Sequence, residues 1–209
     1  MRIYCVRHGE SVYNAEGRIQ GQSDVPLSEL GLRQGEAVAK ALDDVSLEAI
    51  YSSPLIRAKK TAEILADGVG LPITYDDRLK EVHAGIFQDQ RREDLEKTHP
   101  KELALWRSED LDYAIPGGES RRQLMTRGRA LFEEVASNGH QRAAVVAHGR
   151  LLVVTIKYLV GLAPSDPPIS LENGSITTLA FDVEGGFRVE RWNRADHLHD
   201  VGLAGTGDL

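Results

Sequence analysis

Apolar residues in this chain fall alternately into short continuous runs and into longer stretches with a helical period. Residues 3–6, 47–51 and 143–147 are runs of the first kind, and they predict buried strands. Amphipathic stretches separate them, so strands and helices alternate along the sequence. Such alternation predicts an α/β fold, a three-layer α/β/α sandwich with a mostly parallel central sheet.

Several helices have recognisable starts and ends. Ser28 can cap a helix that continues to Leu42, and Pro54 is expected early in a helix that runs toward Gly68. Residues 91–107 have a helical pattern that Pro100 interrupts. Further helices are predicted after the loop at 116–118 and over residues 151–159, and a short edge strand is predicted at 72–75.

The C-terminal part has a different pattern. Residues 176–181 and 187–192 flank Gly185-Gly186, which predicts an antiparallel hairpin. No internal repeat or linker divides the chain, so residues 1–209 are predicted to form a single domain. Within it, residues 83–120 are expected to form a lid insertion, and the Gly-rich residues 200–209 a loose tail.

Composition excludes some classes of function. The chain is 41% hydrophobic and 27% charged, as in ordinary soluble proteins, and no apolar run could span a membrane. Its single cysteine, Cys5, cannot form an internal disulfide. The N-terminal residues lack the pattern of a secretory signal peptide, so no signal peptide and a cytoplasmic location are expected. The net charge of −7 argues against a nucleic-acid partner. The sequence does not decide whether the chain forms a homodimer.

The predicted strand ends carry the candidate chemistry. Arg7 and His8 follow the first strand, Arg57 lies in the first helical turn after the second, and His148-Gly149 follow the strand at 143–147. Ligands of open α/β sheets bind at the carboxyl ends of strands, where helix N-termini add N–H donors. We therefore expect these side chains to converge on a compact dianion such as a phosphoryl group.

Three segments carry a family resemblance. Residues 6–11, Val-Arg-His-Gly-Glu-Ser, resemble the signature of the histidine phosphatase superfamily, also called the phosphoglycerate-mutase-like family. Residues 52–62 resemble its Ser-Ser-Pro-x-x-Arg-Ala-x-x-Thr-Ala segment, and residues 145–149 its strand–His-Gly turn. The matches extend from residue 3 to about residue 160 in the family's order.

The resemblance implies a role for each matched position. His8 is the implied nucleophile, Glu81 of Leu79-Lys80-Glu81 the implied proton donor, and His148 is implied to hold a phosphoryl oxygen. Arg7 and Arg57 are implied to bind the phosphoryl group. The positions implied to line the same pocket are Asn14, Gln20, Gly21 and Gly149. Residues 117–120, Gly-Gly-Glu-Ser, resemble a loop that opens a helix beside the site.

The predicted function is that of a phosphoric monoester hydrolase that acts on a small phosphorylated metabolite through phosphohistidine. No metal or other cofactor is expected, because arginines and histidines supply the positive charge and no cluster of ligands has metal-site spacing. The alternatives are a cofactor-dependent phosphoglycerate mutase and a non-catalytic phosphate-binding module. The segment around Glu81 lacks the Glu-Arg-His-Tyr-Gly pattern typical of the mutases, which favours the phosphatase.

Some positions depart from the family pattern or stay open. Asp89 stands where the family usually has glycine, so a different turn is possible there. The sequence does not decide whether His83 lines the pocket or has a structural role. It also does not decide whether Arg91 and Arg92 are surface charges or contact a second anionic group of the substrate. His197 and His199 are expected in a solvated tail. The substrate cannot be read from the sequence.

Overall fold

The fold is built on a single six-stranded sheet. The computed structural model describes residues 1–108, 110–163 and 169–203. The strands are β1 (Arg2–Arg7), β2 (Ala49–Ser52), β3 (Ile73–Tyr75), β4 (Arg142–Ala147), β5 (Ile176–Asp182) and β6 (Gly186–Arg194). The helices are α1 (Val12–Ala15), α2 (Glu29–Leu42), α3 (Ile56–Val69), α4 (Arg92–Thr98), α5 (Pro100–Arg107), α6 (Arg121–Ser137) and α7 (Gly149–Leu159).

The strand order is β3-β2-β4-β1-β5-β6. The first four strands in this order are parallel, whereas β5 runs antiparallel to β1 and β6 antiparallel to β5. The predicted mostly parallel sheet with a C-terminal antiparallel hairpin is therefore confirmed. Arg7 pairs with Ala147 and Ser52 with Val146, so β1, β2 and β4 end at the same edge.

Helices cover both faces of the sheet, because the central strands are apolar on both sides. Along β4, Val145 packs in the core that also contains the buried side chains of α6 and α7. Its neighbour Val146 points to the opposite face and packs in the core under α2 and α3. Alternation of the side chains along one strand thus produces the two outer layers.

Helix α3 begins two residues later than the sequence predicted. It starts at Ile56, not Pro54, because the N–H of Ile56 donates to Oδ1 of Asp24 at 2.7 Å and the preceding residues form the turn out of β2. The helix also ends later than predicted, at Val69. Gly70 follows with a φ of 70°, the left-handed conformation that glycine supplies at helix ends.

The prediction that His197 lies in a solvated tail is wrong. This side chain is half-buried, and its Nε2 lies 2.9 Å from the carbonyl oxygen of Gly174, because the fully buried Leu198 anchors the segment. His199 is exposed, as expected. The carbonyl of Gly202 accepts a hydrogen bond from Gln34, and residues 204–209 of the predicted tail lie outside the described residues.

Residues 83–120 contain α4 and α5. Phe87, Leu95, Leu103 and Trp106 are buried in the same core as α6 and α7, so the described part of this segment packs on one face of the sheet. Its role as a lid stays a prediction. Within the described ranges, no helix is long and apolar enough to cross a membrane.

Candidate active site

The backbone around His8 holds this residue at the end of β1. The N–H of His8 donates to the carbonyl of Ala147 at 3.0 Å, and the carbonyl of His8 accepts from the N–H of Gly174 at 3.1 Å. A Cβ atom on Gly9 would lie 2.3 Å from the carbonyl oxygen of Gly31, so the turn after His8 accepts only glycine. Close backbone packing therefore fixes the position of the imidazole.

The His8 ring is arranged as a nucleophile. Its Nδ1 lies 2.6 Å from the carbonyl oxygen of Gly9, which only accepts, so Nδ1 carries the proton. Nε2 accepts from Nε of Arg57 at 3.3 Å and so presents a lone pair. Burial lowers the pKa of His8 well below its usual value, and the charges of Arg57 and Arg7 lower this pKa further. The imidazole is therefore neutral at physiological pH.

Main-chain carbonyls orient the two arginines. Arg57 is almost fully buried in the first turn of α3 and donates to the carbonyls of Ser23 and Gly21 at 2.9 and 2.8 Å. Arg7 is fully buried and donates to the carbonyl of Leu171. Gly21, predicted to line the pocket, thus acts on Arg57 through its carbonyl oxygen. The guanidinium of Arg57 contacts the His8 ring, and the charge of Arg7 also lowers the pKa of His8.

Asn14 is linked to the backbone of His8 through Asn173, which donates to the carbonyl of His8 at 3.1 Å. Ser11 caps α1, and its hydroxyl contacts Oδ1 of Asn14 and Oε1 of Gln20 at 3.0 and 2.7 Å. Asn173 also donates to Oδ1 of Asn14, at 3.2 Å. The side-chain amide nitrogen of Asn14, Nδ2, is buried and has no hydrogen-bond partner within the described part of the chain. It can therefore donate to a bound phosphoryl oxygen.

His148 lies against His8, with 5.1 Å between the ring centroids. Its Nε2 lies 2.8 Å from Oγ of Ser53, which itself accepts from the N–H of Leu55 at 3.3 Å. The hydroxyl proton of Ser53 is thus available for Nε2, an arrangement that puts the His148 proton on the buried Nδ1. Burial lowers the pKa of His148 well below its usual value, and the charge of Arg57 adds to this shift. His148 is therefore neutral, with an N–H to offer.

Glu81 binds the N-terminus of α7. Its carboxyl oxygens accept from the N–H groups of Val82, Arg150 and Leu151 at 2.8, 3.0 and 3.1 Å. His148 is the N-cap residue of this helix and the buried Gly149 its first residue. The start of one helix thus positions both the second histidine and the implied proton donor. The N–H groups at this helix start hold the Glu81 carboxyl in place.

The structure adds a pair of residues that the sequence reasoning missed. Arg127 of α6 forms two hydrogen bonds of 2.9 Å with the carboxylate of Glu119, and it donates to the carbonyls of Arg78, Lys80 and Glu81. Burial raises the pKa of Glu119, but the hydrogen bonds and charge of Arg127 outweigh it and leave this pKa lowered. Arg127 therefore clamps the segment that carries Glu81. The only sequence signal was Glu119 in the Gly-Gly-Glu-Ser loop.

The remaining candidates have local partners. Nδ1 of the half-buried His83 accepts from the N–H of Gly85 at 3.2 Å, which fits a structural role. Arg91 is exposed and lies 3.6 Å from Glu93. Asp89 has a φ of 66°, the left-handed conformation that glycine adopts most readily. Across the described ranges, no group of three or more His, Cys, Asp or Glu side chains could hold a metal ion.

Comparisons with known proteins agree with this geometry. The family model described as histidine phosphatase superfamily (branch 1) matches residues 3–195. A probable phosphoglycerate mutase GpmB from Erwinia tasmaniensis is 32% identical, with 97% of each chain covered, and one from Salmonella choleraesuis is 35% identical, with 95% of each covered. Relatives of this kind are similar to the chain over nearly its whole length.

Solved structures agree as well. A mycobacterial glucosyl-3-phosphoglycerate phosphatase in complex with VO3 is 35% identical and superimposes with a TM-score of 0.83 over 92% of this chain and 98% of that one. The protein YhfR from Bacillus stearothermophilus is 29% identical, with a TM-score of 0.86 over 94% of this chain and 98% of that one. On the family model and the relatives together, the chain belongs to the histidine phosphatase superfamily, branch 1, whose members are phosphatases and mutases.

Proposed function

We propose that this protein is a phosphomonoesterase that hydrolyses small phosphorylated metabolites through a phosphohistidine at His8 and needs no metal ion. The observation that carries the proposal is the arrangement of the His8 ring. The carbonyl of Gly9 holds the proton on Nδ1, so the lone pair is on Nε2, where it accepts from Nε of Arg57. A phosphoryl oxygen would take this guanidinium as its own donor, which frees the Nε2 lone pair to attack phosphorus.

In the first step, Nε2 of His8 forms a bond to phosphorus while the bond between phosphorus and the ester oxygen breaks. Arg7 and Arg57 stabilise the charge on the transferring oxygens, and the amide nitrogen of Asn14 and an N–H of His148 donate to them. The departing oxygen takes a proton from Glu81. A phosphoryl dianion in the pocket repels a second negative charge, which favours the protonated carboxyl in the complex.

In the second step, water attacks the phosphorus of phosphohistidine, and Glu81 takes a proton from that water. The bond between nitrogen and phosphorus breaks, His8 regains its neutral ring, and inorganic phosphate leaves. The guanidinium groups of Arg7 and Arg57 supply the positive charge throughout, and the neutral imidazole of His148 contributes an N–H donor. Activity is therefore expected to persist in excess chelator, and its loss on chelation with recovery on adding magnesium or zinc would contradict the proposal.

The direct test is a rapid quench with labelled ester. Acid-labile, base-stable phosphate is expected on His8, and His8→Ala is expected to lose turnover by about 10,000-fold or more. His199→Ala, a change at an exposed histidine, is the matched control. A His8→Ala protein that is folded by circular dichroism and still turns over would exclude the mechanism. It would leave a different nucleophile, whereas wild-type protein that binds phosphate esters but hydrolyses none would leave the non-catalytic module.

A phosphoglycerate mutase is the second candidate, because the curated relatives named above are probable phosphoglycerate mutases. A mutase must keep water from phosphohistidine and bind a second phosphate. In the lid segment, however, Arg91 lies 3.6 Å from Glu93 and Arg107 2.9 Å from Glu96, so carboxylates offset these charges. We expect phosphate release from simple esters to exceed exchange between 2- and 3-phosphoglycerate. Efficient exchange with little release would favour the mutase.

A further inference from the structure

Asn173 is a fully buried polar side chain beside the nucleophile. It lies in the segment between α7 and β5, beyond the residues that carry the family resemblance. Its side-chain nitrogen donates to the carbonyl of His8 at 3.1 Å and to Oδ1 of Asn14 at 3.2 Å. One amide thus connects the backbone of the nucleophile to the side chain of Asn14, which is proposed to donate to the phosphoryl group.

Both hydrogen bonds use the NH2 group of Asn173. The carbonyl of His8 only accepts, so the atom that faces it is the amide nitrogen and not the oxygen. Oδ1 of Asn173 has no hydrogen-bond partner among the residues that the structure describes. The side chain therefore contributes a pair of N–H donors, which neither leucine nor aspartate of similar size could supply.

Three donors turn the amide of Asn14 in one direction. The main-chain N–H of Ser11, the hydroxyl of Ser11 and Nδ2 of Asn173 lie 3.2, 3.0 and 3.2 Å from Oδ1 of Asn14. The hydroxyl has one proton, and Oε1 of Gln20, at 2.7 Å, competes for it. The two N–H donors therefore fix the oxygen on this side, and Nδ2 of Asn14 points away from both of them.

We propose that Asn173 is a positioning residue, which holds the Asn14 amide so that its Nδ2 donates to the transferring phosphoryl group. The inference rests on the proposed function, since it assigns the support of one group that binds the phosphoryl oxygens. The backbone of His8 depends less on Asn173, because its carbonyl also accepts from the N–H of Gly174 and its N–H donates to Ala147. The loss of the Asn173 donors should therefore act mainly through Asn14.

A double-mutant cycle with p-nitrophenyl phosphate tests whether Asn173 acts through Asn14. Asn173→Leu removes both donors at similar volume and should lower kcat/KM by about tenfold, the effect of one lost hydrogen bond. Asn14→Ala should lower it by about 10- to 100-fold, because a donor to the phosphoryl group is lost. In the Asn14→Ala protein, adding Asn173→Leu should lower kcat/KM by less than about threefold more, because the amide that it positions is already gone.

Asn138→Leu is the matched control. The Asn138 side chain also donates a hydrogen bond, to the hydroxyl of Tyr51 at 3.0 Å, but it lies at the end of α6 that precedes β4, whereas the site lies where β4 ends. This variant should keep the wild-type kcat/KM, and a loss equal to that of Asn173→Leu would overturn the inference. An unchanged kcat/KM in Asn173→Leu would overturn it too. So would two full losses that multiply in the double variant, as a general loss of structure would produce.

Magnetic resonance of the wild-type protein decides the case if Asn173→Leu does not fold. The side-chain amide protons of Asn173 should exchange slowly with solvent, both with and without inorganic phosphate, because they are bonded within the protein. The side-chain amide protons of Asn14 should shift when phosphate is added. Fast exchange at Asn173, or no shift at Asn14, would overturn the inference.

A binding measurement keeps this test separate from that of the proposed function. By calorimetry, Asn173→Leu should weaken the binding of inorganic phosphate in the wild-type background and have little further effect in Asn14→Ala. If no ester is hydrolysed but phosphate binding is coupled in this way, the proposed function fails and the role of Asn173 stands. If p-nitrophenyl phosphate is hydrolysed through His8 but the two changes multiply, the role of Asn173 fails and the proposed function stands.

Discussion

The proposed active site has two halves, one for the phosphoryl group and one for the leaving group, and they are built differently. In the phosphate half, Arg7, His8 and His148 follow or end parallel strands, Arg57 lies in a first helical turn, and main-chain carbonyls hold the groups. In the leaving-group half, Glu81 lies in an irregular segment that Arg127 holds. Topology fixes the first half, whereas a few side chains fix the second. Under the proposed function, changes to the second half would therefore alter the leaving group and not the phosphoryl chemistry.

The largest effect is expected in the phosphate half, from Arg57→Gln. The change removes a donor to the phosphoryl oxygens, and kcat/KM for p-nitrophenyl phosphate should fall by about 1,000-fold. It also removes a positive charge beside His8, so the pKa of His8 should rise and the acid limb of the pH–rate profile should move to higher pH. Lys59→Gln, an exposed change on the same helix, is the control. A loss below tenfold would break the comparison.

In the leaving-group half, Glu81→Gln should separate esters by their leaving groups. Alkyl phosphates need a proton on the departing oxygen, and their kcat should fall by about 100-fold or more. Aryl phosphates with activated leaving groups need less help and should lose far less. Glu63→Gln, which changes a carboxylate on the outside of α3, is the control. Equal losses for both classes would remove Glu81 from the role of acid.

The sequence predicted the two halves unequally. The apolar runs placed the ends of β1 and β4 and hence Arg7, His8 and His148, because parallel strands share one edge. The sequence could not predict that the N-terminus of α7 would bind the Glu81 carboxyl, since that contact joins an irregular segment to a helix 69 residues away. Arg127 was missed for the same reason, because its carbonyl partners follow no sequence period.

Substitution of Arg127 should have the same kind of effect on turnover as Glu81→Gln, but a smaller one. In Arg127→Met, the segment 78–81 loses its hydrogen-bond donors, and turnover of alkyl phosphates should fall by about tenfold, more than that of aryl phosphates. Arg127→Lys should recover only part of the lost turnover of alkyl phosphates, because one ammonium group cannot donate to both Glu119 and the carbonyls. A purely structural role would slow both classes of ester equally and lower the midpoint of thermal unfolding in parallel.

The smallest effect concerns stability and pH, and it too differs between the halves. The pKa values of His8 and His148 are lowered in the folded state, first by burial. Between the unfolded value, about 6.5, and the lower folded values, the unfolded chain therefore binds more protons. Stability from this source is complete above pH 6.5 and is lost as the pH falls below it, at up to roughly 1.4 kcal/mol per pH unit for each histidine.

The carboxylate of Glu119, in the leaving-group half, contributes to stability in a way that depends on pH over a lower pH range. Its pKa is lowered from 4.5, so its contribution is present above 4.5 and is lost only as the pH falls through the folded value. Urea unfolding from pH 7 to 3.5 should separate the two. In the double variant His8→Gln/His148→Gln, the free energy of unfolding should change less between pH 6.5 and 5 than in wild type. Glu119→Gln should keep the wild-type pH dependence in that range and lose the pH dependence below 4.5. Slopes that do not divide in this way would show that the buried histidines are not the groups that titrate on unfolding.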